Sequence, residues 1–339
     1  MLNKFIFGAI GAILPIYANA LSYNTGNFDF GLTGYGTLGI IEPKFNKSPK
    51  MVGDFRLRTQ ATYSPNEYQK FGAVYMMDEI ALDEDKWWHE AFGFWQWRGV
   101  GRIEMGLTDS VAHKLGLGLP DVGGLRINHD SLIYRKIGTP GPVIADPTIT
   151  NGSESLRANI VASHNPNLQY GISVSGLTGD YDYSIDAGIK IKSSNAKTKF
   201  AASLGASYMN HPDNFSTDTF TPNVTADWRG QIYTGLNIQY NSFIFGLTGR
   251  IVYDENPIGP AVDGLVAGAG ASYDILNYTL SVSYLFSETG IWHDNAVITR
   301  DHTTVASFRY KYSQNVDGWT SLGISGTWPF LAAGIRITF

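Results

Sequence analysis

The chain contains no cysteine, which excludes disulfides and thiolate metal sites together. It also has no later apolar run approaching the ~18 residues that mark a membrane-spanning helix. Basic tracts are missing: 25 lysines and arginines stand against 30 aspartates and glutamates, so the electrostatic footprint of a nucleic-acid binder is absent. No segment of helical period and no linker interrupts the chain, and a single domain is expected. The seven histidines fall in predicted connections or at strand edges, without HExxH or paired-ligand spacing; neither a metal nor a cofactor is expected. Two residue classes are plentiful instead. Glycine contributes 38 residues, and phenylalanine, tyrosine and tryptophan make up 13% of the chain.

The first twenty residues read as an export signal. Lys4 precedes an apolar stretch from Phe5 to Ile16, too short to span a bilayer, and Tyr17-Ala18-Asn19-Ala20 has the small-x-small pattern of a cleavage site. Residues 1–20 are expected to be removed, leaving 21–339 as one domain. Lys4 is the leader's one charged residue, so its loss makes the formal charge −6.

From residue 27 onward the dominant signal is alternation. Phe28, Phe30, Leu32, Gly34, Gly36, Leu38 and Ile40 share one parity, while Asp29, Thr33, Tyr35 and Thr37 share the other. Period two means a strand with one apolar face. The pattern recurs to the C-terminus and predicts sixteen strands, good to about two. Tight turns such as Asn241-Ser242 mostly alternate with longer connections, the longest running from 109 to 154. Two connections, near 176–180 and Trp328-Pro-Phe330, are shorter than that rule requires. The fold class is therefore all-β, an antiparallel barrel.

Alternation alone does not say which way the apolar face points. The aromatics do. On the strand 228–240 the apolar parity begins at Trp228 and ends at Tyr240, twelve steps of about 3.3 Å, or roughly 28 Å along the normal at a ~45° tilt. Tyr273 and Tyr278 flank the next tight turn in the same way. A soluble core would hold its aromatics in mid-strand; a lipid-facing band about 25 Å tall is edged by them. The opposite parity carries Arg229, Gln231, Asn237 and Gln239, too polar for a second apolar layer. Sixteen strands with a polar inner face enclose water.

The last strand ends on Phe339, with Ile337 two positions back and Gly334 five. This resembles the C-terminal signature of Gram-negative outer-membrane β-barrels. Gly118-Leu-Pro-Asp-Val-Gly-Gly124 is similar to the PEFGG signature at the tip of the constriction loop of general porins. Gly99-Val-Gly101-Arg-Ile-Glu-Met-Gly106 resembles their turn into the fifth strand. The resemblance implies a sixteen-stranded, trimeric, transmembrane barrel in the bacterial outer membrane, with a long third loop folded into the lumen. It also implies passive diffusion of small hydrophilic solutes and ions. By position, Asp121 matches the acidic residue of the signature, and Arg56 and Arg58 are candidates for a basic wall. Leu107 departs from the pattern, since an arginine commonly follows that glycine; inward Arg102 is a candidate substitute.

Parity places thirteen basic residues on the lumen side, among them Arg56, Arg58, Arg102 and Arg157, against five acids, Asp29, Asp78, Glu104, Asp182 and Asp186. A charged constriction selects ions by the sign of its lining, so a weak anion preference is expected. The third loop offsets it, with Asp109, Asp121 and Asp130 set among Arg126 and other bases. The second loop holds six acids in residues 78–90; a plain solvated loop is the simpler reading, and divalent cations near lipopolysaccharide the sharper one. Expected partners are outer-membrane lipid and lipopolysaccharide, two further copies of the chain, and small solutes.

Gly34-Tyr-Gly36-Thr-Leu-Gly39 matches a dinucleotide pattern but lies inside an alternating strand with no helix after it, so its context fails. His129-Asp130-Ser131 alone suggests hydrolytic chemistry, without an inferable activating geometry. An enzyme is not expected. The rival readings are a substrate-specific channel, which calls for a track of inward aromatics, and an adhesin-like surface barrel. Tyr35 and Tyr233 are among the inward exceptions to an otherwise lipid-facing aromatic set.

Overall fold

A computed structural model describes residues 21–43, 49–80, 87–120, 156–176, 183–210, 228–255, 262–291 and 299–339. Its strands are β1 (Leu21–Thr25), β2 (Phe28–Pro43), β3 (Lys50–Asn66), β4 (Gln69–Ile80), β5 (Trp87–Trp97), β6 (Gly101–Leu107), β7 (Leu156–Asn165), β8 (Leu168–Ser175) and β9 (Ser184–Ser194). They continue with β10 (Thr198–Asn210), β11 (Trp228–Tyr240), β12 (Phe243–Glu255), β13 (Val262–Ile275), β14 (Tyr278–Ile291), β15 (Thr299–Lys311), β16 (Val316–Ser325) and β17 (Trp328–Thr338). One short helix, α1 (Val111–Leu115), follows β6.

Each strand from β2 to β17 pairs antiparallel with the next, and β17 pairs back onto β2, closing sixteen strands into a barrel. Closure removes every sheet edge but leaves one gap. β17 covers β2 from Pro43 to Tyr35, and Phe339 exchanges backbone hydrogen bonds of 2.8 and 2.9 Å with Gly34. The extra strand β1 then covers Leu32 to Phe28 on the same edge. The C-terminal residue and Leu21 thus stand end to end along β2. Glycine is needed at 34 because a Cβ there would run into the Arg56 carbonyl oxygen and lie 2.9 Å from Cζ of the Phe339 ring.

β1 was not expected, since Leu-Ser-Tyr-Asn-Thr does not alternate and all five residues are exposed. Trp328-Pro-Phe330, read as a connection, belongs to β17. The true turn is Gly326-Thr327, two residues with Gly326 at φ +59°, a left-handed geometry that suits a tight hairpin.

Facing is as the parity required. Ile232, Ile251, Leu280 and Val282 are each about half or more exposed on the outward face, in a belt that only hydrocarbon can satisfy. Aromatic rings edge it. Tyr183, Tyr208, Trp228 and Tyr253 form a continuous row across β9 to β12 with centroids 5.1 to 6.0 Å apart. At the other rim, Tyr278 and Tyr310 lie 4.9 Å apart. The barrel is transmembrane.

Candidate functional site

The inner wall carries the polar chemistry, and one segment crosses it. Residues 108–120, the start of the third loop, run inside the barrel past the strands from β7 to β14. Ser110 caps α1, its hydroxyl accepting from the His113 N–H at 3.1 Å. The helix buries Val111, Ala112 and Leu115 against β8, β9 and β10.

Anchors hold the segment along its whole length. Arg157 Nη1 donates to Thr108 O at 2.7 Å, and Asn159 Nδ2 donates to Asp109 O at 2.9 Å. Ser173 Oγ accepts from the Val111 N–H at 3.1 Å. Tyr233 Oη donates to Ala112 O at 2.6 Å, and Asn237 Nδ2 to Gly118 O at 3.2 Å. These bonds satisfy four loop carbonyls and one loop N–H that would otherwise be buried without partners, at a cost of about 1–3 kcal/mol each.

Space for the loop comes from inward glycines on successive strands. A Cβ on Gly235 would lie 2.6 Å from Leu117 O, one on Gly246 2.5 Å from Pro120 Cδ, and one on Gly268 2.8 Å from Leu119 Cδ1. Any side chain at these three positions would push the loop off the wall. That shared inward parity is a sequence signal that glycine marks close approach.

An ion-pair cluster sits at the loop root. Arg102 Nε lies 2.8 Å from Glu104 Oε1, and its guanidinium covers the Phe94 ring at 3.8 Å. Lys114 Nζ donates to Glu104 Oε2 and, at 2.5 Å, to Thr108 Oγ1. Asn159 Nδ2 also donates to Glu104, at 3.0 Å. Beside them His113 Nε2 is 3.7 Å from Asp109 Oδ2. Burial pushes the Asp109 carboxyl up, but the charges of His113, Lys114 and Arg157, with a hydrogen bond from Glu90, outweigh it and hold it below the usual value.

The predicted residues therefore divide. Arg56 is half-buried and Arg58 exposed, both on the inward face of β3. Arg58 donates to Gln60 at 3.1 Å, and Gln60 to Thr62 at 3.0 Å. This row borders a recess of about 240 Å³ shared with Asp29, Gly31 and Thr33. Arg56 and Arg336 flank Tyr35, their guanidinium carbons 5.8 and 5.6 Å from its ring centre. Arg102 and Asp109 belong to the loop-root cluster. Arg157 is 1% exposed, lying beneath the loop as an anchor. Asp121, Arg126 and Asp130 lie outside the described residues, as do Asp182 and the side chain of Asp78.

Sequence reasoning missed several participants. Glu90 faces inward on a strand whose alternation is weak. Phe92, Phe94, Trp319 and Phe330 are inward aromatics besides Tyr35 and Tyr233. They do not form an open track: each is at most 7% exposed. The Phe94 ring occupies the space over Gly72, and Trp319 that over Gly39 and Gly334. Such rings fill the wall.

No family model matches the sequence, and no curated protein matches it. Solved structures do. A loop-deletion form of OmpT, an outer membrane protein of Vibrio cholerae, aligns at TM-score 0.66 with 12% identity over 93% of this chain and 100% of that one. A porin refined at 1.8 Å aligns at 0.64 with 13% identity over 91% and 100%. A mutant of Rh. blastica porin gives 0.53 with 12% over the same shares. The barrel shares its fold with porins. At such identities the likeness is one of fold, and the inner wall must argue for what passes through it.

Proposed function

We propose that the protein is a water-filled channel of the bacterial outer membrane that passes small hydrophilic solutes and ions by diffusion, narrowed by loop 109–154 and weakly anion-preferring. One observation carries this reading: thirteen lysines and arginines on the strands take the inward parity, against Arg300 alone among the described residues on an outward parity dominated by apolar side chains. Such a distribution is costly for a packed interior and natural for a hydrated one. On the β7–β14 side the loop covers the wall; beside Tyr35, Arg56, Arg58 and Arg336 the inner face stays accessible. In this reading the passage runs along that basic arc.

In this reading the chain is not an enzyme and needs no cofactor. Residues 1–20 are cleaved, and the barrels associate in threes. One of the solved relatives in fold is titled a trimer form of OmpT of Vibrio cholerae. The burial of the inward aromatics other than Tyr35 disfavours a substrate-specific slide.

Planar-bilayer recording of the refolded protein tests the proposal. Stepwise conductance with a reversal potential showing modest anion preference in a salt gradient is expected. Replacing Arg56 and Arg58 by glutamate should move that potential toward cations. Absence of any conductance would favour the adhesin-like alternative, and a cation preference in the wild type would overturn the selectivity.

A further inference from the structure

Positive charge on the strands is sorted by face with one exception. Among the described residues, Arg300 is the single lysine or arginine on the outward parity of a strand. It sits on β15 directly opposite Glu288 of β14. Its side chain is 62% exposed, bound edge-on to the carboxylate through Nε at 3.1 Å and Nη2 at 3.4 Å. The Nη1 group is not used in that pair. Two residues along the same face, His302 Nδ1 lies 2.5 Å from the Tyr284 hydroxyl, with the Tyr284 and Phe286 rings 5.9 and 5.2 Å from the imidazole. When the tyrosine donates to Nδ1, the neutral ring carries its proton on Nε2 and presents it outward.

Height decides what these donors meet. Tyr278 and Tyr310 mark one rim of the apolar belt, on the side of the tight turns. Glu288 and Arg300 are each ten residues from them, which at about 3.3 Å per residue and ~45° tilt is roughly 23 Å up the normal. That is the far edge of a band about 25 Å tall, the level of lipid headgroups. A guanidinium there is aligned by Glu288, and its planar fork matches phosphate.

We propose that Arg300 and His302 form a docking site for the phosphate of an anionic lipid headgroup in the leaflet facing the long loops. Glu288 orients the arginine and competes with the lipid for it. Phe286, level with His302, and Tyr284, two residues further toward the belt, lie below Arg300, where the acyl chains begin. The site deepens the membrane reading of the belt but does not depend on conduction.

The test is native mass spectrometry of the refolded barrel in detergent, titrated with phosphatidic acid and, separately, phosphatidylcholine. The wild type should retain phosphatidic acid preferentially. Arg300→Ala with His302→Ala should lose about fivefold or more of that retention, the loss expected for a charge-assisted contact of about 1 kcal/mol. Glu288→Gln should increase it, an effect a purely structural ion pair would not produce. Inorganic phosphate should compete only weakly, because the acyl chains add contact. Equal retention by wild type and double variant overturns the proposal, as does a subunit-association defect with unchanged lipid binding. Heat-modifiable migration checks that each variant is folded. A barrel that conducts without discriminating the lipids sinks this site alone; one that discriminates without conducting sinks the channel reading alone.

Discussion

Tyr233 shows how much a single inward side chain contributes. Its hydroxyl donates to the Ala112 carbonyl from the adjoining strand, and its ring is fully buried between wall and helix. Tyr233→Phe keeps the ring and strands that carbonyl, which should cost about 1–3 kcal/mol of loop docking. Faster protease cleavage within 108–120, with an intact barrel, is the expected readout. Leu276 is the opposite case. It holds φ +53° in a tight turn with 96% of its surface exposed, so it has strain and no packing to offset it. Leu276→Asn should raise stability by up to about 1 kcal/mol, because asparagine tolerates the left-handed region; urea unfolding in micelles measures it.

At the scale of elements, the loop segment and the wall behave as one unit. The segment has little core of its own beyond α1, so its position depends on the anchors and on the glycine seat. The Asp109 carboxylate is part of that attachment, and its direction of shift sets the pH behaviour. A carboxyl held below its ordinary value contributes stability above that value and loses it as pH falls through the lower, folded one. Loop docking should therefore persist near neutrality and weaken below about pH 4. Asp109→Asn should largely remove this acid dependence, as followed by single-channel noise or by protection of the loop amides from exchange. A persistent acid transition in that variant would assign it elsewhere.

For the whole molecule, closure is the decisive event. The seam is shared: β17 and β1 line up on one edge of β2, and Phe339 fills the place beside Gly34. Deleting Phe339 removes two backbone hydrogen bonds and a ring from that seam. Yield of the heat-modifiable barrel should drop sharply, whereas a truncation confined to an outer loop should leave it unchanged. Normal yield without Phe339 would show that the seam tolerates the gap.

Alternation determined the strands, their facing and the inward basic residues, because a period of two is local and the solvent on each side acts on every residue separately. Trp228, Tyr240 and Tyr278 could be placed at the lipid edge from their positions alone. Short, unpatterned β1 was invisible, since what makes it a strand is the edge of β2 left uncovered by β17. The same holds for the anchors. Arg157 and Arg58 both face inward and share the same chemistry, yet one is buried under the loop and the other borders an open recess beside Asp29. Only the path of 108–120 across eight strands separates them, and that path is set by contacts between residues more than a hundred positions apart, such as Ala112 with Tyr233. Facing is a property of one strand and its solvent; accessibility within a barrel depends on what the rest of the chain places in front of it.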